Sequence, residues 1–342
     1  MADKGYEKLK ADLAAQTPGS VYLFHGEESY LREYYFRELQ KMLLPSGMEE
    51  FNFHRLNGKE FTVQQLTECV EAMPMMSERT LVAVYDCNLY ALDEKSRTAL
   101  VSLLEDIPEY CCLVFIYDTE EYKPNRTYKT LYSALEKKAV TVKFERQSKN
   151  DLIRWISKHF AASGHKISAQ NCEHLIFQCG ELMTGLLPEI SKISAYAKKE
   201  EITRQDIDAV ADPIISAIAF DMTNAITAGD YNRAADVLGQ MFKKQEDVNY
   251  LLAIIGKELR KIYTARIAIE EGKDRVWLMD LWGMHSDYPA KLALQAARKT
   301  TRAWCANSLK LCQKLDDRLK KERGIDGEGE LKLLLMQLAQ RE

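Results

Sequence analysis

Residues 21–39 read VYLFHGEESYLREYYFREL, and the parsing of that stretch decides the fold of the first part of the chain. Val21–His25 is a short apolar run of the kind that forms a buried strand. Gly26 is a turn, and from Ser29 onward Leu31, Tyr35, Leu39 and Leu43 fall on one helical face. Strand, glycine turn and helix is where an α/β nucleotide-binding domain carries its phosphate loop, G-x-x-x-x-G-K-[ST], whose backbone N–H groups and lysine cradle phosphate. Here Gly26 is followed by Glu27, Glu28 and Ser29, with no second glycine and no lysine. Two carboxylates complement the positive end of the helix themselves and repel a triphosphate. The expectation is a nucleotide-binding shape that works through partners.

Upstream, MADKGYEKLKADLAAQ reads as a polar amphipathic helix without the apolar core of a signal peptide. Downstream, Glu50–Leu56 alternates Phe51, Phe53 and Arg55 against polar neighbours and predicts a second strand. Thr62 caps a helix with Val63, Leu66, Val70 and Met73 on one face, ended by Pro74. Thr80–Tyr85 (TLVAVY) and Cys111–Tyr117 (CCLVFIY) are continuous apolar runs, as buried parallel strands require. Between them Asp93 opens a helix carrying Leu100, Leu103, Leu104 and Ile107. A helix near Thr127–Lys137 leads to a last strand, Val140–Phe144. Five strands alternating with helices predict a mostly parallel sheet covered on both faces.

From Ser148 onward only helical periodicity is visible, with stripes at Leu152, Ile156 and Phe160 and at Leu186, Ile190, Ile193 and Ala197. Thr203 caps a short helix through Val210. Asp212-Pro213 reads as a helix restart, a capping residue followed by proline at the first helical position, and places a domain boundary. Long helices are expected at Ile215–Ala228, Tyr231–Phe242, Asn249–Glu271 and Lys291–Thr300, then through Leu319 and over Glu330–Gln340, with turns at Gly229-Asp230 and Gly324–Gly329. The division is 1–146, 147–211 and 212–342.

A chain of 342 residues is long for one core. Hydrophobic residues at 46% and charged residues at 29% describe a globular protein. A net charge of −4 argues against wholesale wrapping of nucleic acid. No apolar run approaches the ~20 residues of a membrane helix, so no membrane partner and a cytoplasmic location are expected. Cysteines 69, 87, 111, 112, 172, 179, 305 and 312 include no C-x-x-C pair, and no histidine stands at ligand spacing. Buried free thiols, no metal and no cofactor are the expectation. Asp86 ends the strand Thr80–Tyr85 where a magnesium-binding acid commonly sits. Cys87 follows it, however, where a hydrolase would place a second acid to orient water. No catalytic residue is assigned.

Two further clusters stand out. In Met73-Pro74-Met75-Met76, Met73 reads as core filling that continues the Val63, Leu66, Val70 stripe. Met75 and Met76 lie beyond the proline, in a connection where bulky apolar residues are costly to expose. They are candidate anchors for another protein. Positions 291–323 carry ten basic residues against three acidic ones, a local net of +7. Arg318, Lys320, Lys321 and Arg323 are its densest part and candidate contacts for DNA.

The ordered segments VYLFHGEESYL, AMPMMSERTLVAVYD, LPEISKISAY with ITRQDIDAV, IAFDMTNAITAGDYNRAADVL and KLDDRLKKERGIDGEGELKLLL resemble the delta-subunit family of bacterial DNA polymerase III. These are the clamp-loader subunits that bind and open the sliding clamp, and the likeness spans almost the whole length. It implies an AAA+-type first domain lacking nucleotide-binding residues, a small helical lid and a helical collar. It also implies partners: the sliding clamp (beta subunit), the gamma/tau and delta prime subunits through a pentameric collar, and primer–template DNA in the assembled loader. The family's clamp contact is a hydrophobic pair after an A-M motif, which maps onto Ala72-Met73 and the pair Met75 and Met76. Relatives carry leucine and phenylalanine there, so two methionines after Pro74 are a departure. Gly26, Glu27, Glu28, Ser29 and Asp86 map onto the degenerate nucleotide site. An ATP-hydrolysing gamma/tau-type motor subunit would show an intact phosphate loop and zinc-ligand cysteines, and the chain has neither. A clamp-independent helical adaptor is the other alternative.

Overall fold

The computed structural model describes residues 4–340 apart from 45, 46, 48, 59, 285, 286 and 323. The chain divides into two compact units, residues 1–147 with 182–184 and residues 148–181 with 185–342. The first unit runs α1 (Lys4–Ala15), β1 (Val21–His25), α2 (Ser29–Leu43), α3 (Glu49–Asn52), β2 (Phe53–Asn57), α4 (Val63–Glu71), β3 (Thr80–Tyr85), α5 (Glu94–Glu105), β4 (Cys111–Ile116), α6 (Lys129–Lys138) and β5 (Val140–Lys143). Its five strands are all parallel, in the order β2-β3-β4-β1-β5. This is the parallel sheet that the alternation of apolar runs and helices predicts, and its strand order fits the AAA+-type domain that the resemblance implies.

Side chains alternate across the strands, and both sets are buried. Val21, Leu23, Val82, Val84, Leu113 and Phe115 pack with Leu66 and Val70 of α4, Leu100 and Leu104 of α5, and Leu131 and Leu135 of α6. Tyr22, Phe24, Leu81, Ala83, Cys112, Val114 and Ile116 pack with Leu9 of α1 and Phe36, Leu39 and Leu43 of α2. Covering both faces is why β3 and β4 read as unbroken apolar runs.

Several local readings need correction. Glu49–Asn52 is one helical turn, so the second strand starts at Phe53 rather than Glu50. The buried stripe of α2 is Arg32, Phe36, Leu39 and Leu43, with Leu31 and Tyr35 only half-buried beside it. The Thr62 capping box with Gln65 is present, but α4 ends at Glu71 and Ala72 is extended. Proline disfavours helical backbone in the residue before it. Met73 therefore leaves the helix and is 77% exposed instead of filling the core.

The second unit continues with α7 (Lys149–Ala162), β6 (Lys166–Ile167), α8 (Ala169–Cys179), α9 (Met183–Tyr196, whose first two residues belong to the first unit), β7 (Glu201–Ile202) and α10 (Arg204–Val210). It then adds α11 (Ile215–Ala228), α12 (Tyr231–Lys243), α13 (Val248–Glu270), α14 (Arg275–Trp282), α15 (Tyr288–Ala297), α16 (Arg302–Lys321) and α17 (Gly327–Ala339). Contrary to the strand-free reading, β6 and β7 pair in parallel, Lys166 with Glu201 and Ile167 with Ile202. Two-residue strands are too short to leave a periodicity. Asp212-Pro213 does not start a helix: α11 begins at Ile215, and Asp212 pairs with Lys244 at 2.6 Å. α14 escapes pattern reading because it buries only Leu278. The supposed glycine turn 324–329 already contains the start of α17, capped by Asp326.

All eight cysteines are free, and all but Cys69 are buried. Burial pushes the Cys87 and Cys179 thiols up to about 12, as inert core groups require. Among the described residues no single helix is long and apolar enough to cross a membrane.

Gly26 is a fixed point of the first unit. It has φ 116°, and a Cβ there would run into the carbonyl of Phe144. Gly164 is also left-handed, at φ 81°, but faces open space. Gly26→Ala should therefore destabilise the first unit by about 3 kcal/mol or more, against about 1 kcal/mol for Gly164→Ala in the second. Denaturant unfolding of the two variants checks this, and equal costs would refute the close-approach argument.

Candidate functional site

The turn after β1 holds only three residues before α2 begins at Ser29, too few to wrap a phosphate. Its polar groups are engaged with the protein. The Glu28 N–H donates to Phe144 O at 3.0 Å, the Ser29 N–H donates to Glu27 O at 3.1 Å, and Arg32 donates to Gly26 O at 2.8 Å. A cleft of about 740 Å³ opens beside this turn, lined by Gly26, Glu27 and Ser29 among others. Glu27, Asp118, Glu120, Glu121 and Glu145 line it against Arg32, Lys143 and Arg146. Each of these cations is held by a carboxylate: Arg32 by Asp118, Lys143 by Glu145 at 2.6 Å, and Arg146 by Glu27 at 2.5 Å. An acidic cleft whose cations are already paired is unsuited to a polyphosphate.

Glu28 does not line the cleft. Its side chain is fully buried, where it accepts the Met183 N–H at 3.3 Å. Burial raises its pKa, partly offset by the Met183 N–H. Asp86 stands at the end of β3 with φ 51°, a left-handed conformation that Asp tolerates better than most residues. Its carboxylate accepts N–H groups from Asp118 at 2.7 Å, Thr119 at 3.0 Å and Glu120 at 3.1 Å, and the Thr119 hydroxyl at 2.8 Å. The acid that a hydrolase would give to magnesium here braces the loop after β4. Among the described residues no group of three or more His, Cys, Asp or Glu side chains is placed to hold a metal ion.

The methionine segment is built differently. Met73, Met75 and Met76 are 77%, 57% and 85% exposed. The fully buried Asn52 clamps the backbone beneath them: its Nδ2 donates to Met75 O at 2.9 Å and its Oδ1 accepts the Met75 N–H at 2.7 Å. Met76 adopts φ 52°, a strained conformation for a long side chain. Three apolar side chains are thus held outward on a fixed backbone. Pattern reading finds the methionines but not Asn52, whose only signal is a polar residue between Phe51 and Phe53.

Of the C-terminal cations, Arg318 makes two 2.8 Å hydrogen bonds to Glu330, and Lys320 pairs with Asp316 at 2.6 Å. Lys321 is at the end of α16, and Arg323 lies outside the described residues.

Burial opposes ionisation of Asp86, but its four donors outweigh burial and leave the pKa lowered. A depressed carboxylate contributes stability above its unfolded value of about 3.9 and loses it as pH falls through the folded value. Asp86→Asn, which keeps the backbone conformation, should therefore be less stable than the parent at neutral pH. The gap should close below about pH 4. Denaturant midpoints across pH test this, and a constant gap would remove the charge from the account.

Two family models match the chain, "DNA polymerase III, delta subunit" over residues 22–145 and "DNA polymerase III delta subunit, C-terminal domain" over residues 216–338. The curated DNA polymerase III subunit delta of Bacillus subtilis (strain 168) is 21% identical over 285 residues, 81% of each chain. The solved DNA clamp loader delta protein of Bacillus subtilis matches with a TM-score of 0.55 at 21% identity, over 98% of this chain and 99% of that one. With both halves matched in order on an AAA+-type fold, the chain belongs to the DNA polymerase III delta-subunit family of clamp-loader proteins.

Proposed function

We propose that the chain binds the sliding clamp and helps open it for loading onto primed DNA, without hydrolysing ATP. The observation that carries this reading is the exposed trio Met73, Met75 and Met76 on a backbone held by Asn52. Unbranched, polarizable side chains adapt to a pocket on another protein, and a fixed backbone lowers the ordering cost of binding. In this reading Met75 and Met76 are the anchors and Met73 flanks them. Residues 147–211 serve as the lid and 212–342 as the collar that joins gamma/tau and delta prime. A motor subunit is disfavoured by the three-residue turn after β1 and by a cleft whose cations are already paired.

Burying a methionine is worth roughly 1.5–3 kcal/mol. The double variant Met75→Ala with Met76→Ala should therefore lose at least about 30-fold in clamp affinity, measured by surface plasmon resonance with purified clamp. Asn52→Ala leaves both side chains in place but frees the loop, and should lose about threefold to tenfold. Full affinity in the double variant would return these residues to surface filler. In calorimetry an ATP analogue should give no saturable heat at micromolar concentrations, and a micromolar Kd would refute the vacated-site reading.

A further inference from the structure

The second unit contains a cleft of about 650 Å³ at the C-terminal end of α13, the first turn of α14 and one face of α15. Lys273, Arg275, Lys291 and Arg298 line it against a single carboxylate, Asp274. That carboxylate is engaged as the cap of α14, accepting the Trp277 N–H at 3.0 Å. Arg275 bridges to Asp287 at 3.1 Å. Lys273, Lys291 and Arg298 have no ion-pair partner among the described residues, whereas Arg318 and Lys320 on α16 are both paired. Lys291 and Leu294 on α15 and Arg298 at its C-terminal cap repeat at helical spacing, while Ala290, Ala293, Ala296 and Ala297 face the core.

We infer that this cleft binds the phosphodiester backbone of nucleic acid. Three unpaired cations converging on one concave surface repel one another and are relieved by an anion. Lys291 and Arg298 stand seven residues apart on their helix, about 10.5 Å along its axis. A duplex advances one phosphate per ~3.4 Å of its axis on each strand, so the pair covers about three phosphate steps of axial rise. A regular row of single charges fits this spacing better than carboxylates scattered on a protein. The inference rests on the clamp-loader reading for the kind of nucleic acid, a primer–template junction, and adds a contact surface separate from the end of α16.

The test is fluorescence anisotropy of the full chain with a labelled primer–template duplex, titrated from about 50 to 200 mM salt. The triple variant Lys273→Ala, Lys291→Ala, Arg298→Ala should weaken binding about tenfold or more. It should lower the log–log salt slope by about 2–3, roughly one unit per lost phosphate contact. Lys320→Ala with Lys321→Ala should change the slope by less than about one unit. An unchanged slope in the triple variant, or no duplex binding by the parent at about 50 mM salt, would overturn the inference. Loss of poly-glutamate binding without loss of duplex binding would overturn it too, and assign the cleft to an acidic protein. Clamp binding is measured on the same preparations and should be equal in parent and triple variant. A parent that fails to bind clamp removes the loader reading, whereas a normal clamp affinity with an unchanged salt slope removes only the cleft.

Discussion

Much of the first unit depends on the seating of Phe144 against Gly26. The Phe144 N–H donates to His25 O at 2.7 Å, and its carbonyl accepts the Glu28 N–H at 3.0 Å. Its ring is buried against Phe24 at 5.2 Å and against Tyr6 and Tyr35 at 6.0 Å. One residue thereby joins the end of β5 to β1, α1 and α2. The same seating takes up backbone groups that a phosphate loop would present to its ligand. An N–H group that holds the protein together at this turn is thereby withdrawn from any ligand.

The sheet was legible because β3 and β4 are buried on both faces and carry no polar interruption, and because Gly26 punctuates the first strand–helix junction. What escaped was short or was decided by tertiary contacts. Phe51 and Phe53 look alike in sequence, yet one lies in a helical turn and the other opens a strand. Nothing in the α2 pattern marks Arg32 as part of its buried face, because only the folded chain supplies its partners, Gly26 O and Asp118. The methionine segment was visible from Pro74 and the apolar residues after it. The direction of Met73 was not, since the stripe on α4 and the constraint imposed by Pro74 make opposite demands, and the backbone constraint wins. Asn52 could not be found without the fold, because its partner lies 23 residues away.

Charge is handled in opposite ways in the two units. In the first, the cations around the cleft are neutralised by neighbouring carboxylates. In the second, paired and unpaired cations coexist: Arg318 and Lys320 are paired within the densest run of basic sequence, as are Lys244 and Arg275 outside it. Arg318 and Lys320 have acidic partners on the adjacent helix or one turn away. Lys291 and Arg298 come from α15 and its cap, and the packing of α13 and α14 against that helix brings Lys273 to the same cleft.

The position of β1 between β4 and β5, both made later, also affects how the protein is made. His25 pairs with Lys143, 118 positions later, and Val21 pairs with Leu113. At about 5–20 residues per second, synthesis leaves His25 without its β5 neighbour for roughly 6–24 s. During that interval β1 has first two open edges and, once β4 is made, one, and an open apolar edge is a template for pairing with other chains. Helix α1, which packs against β5, has nothing to dock on until the same moment. The nascent chain thus passes through a window in which a strand buried in the finished sheet is exposed.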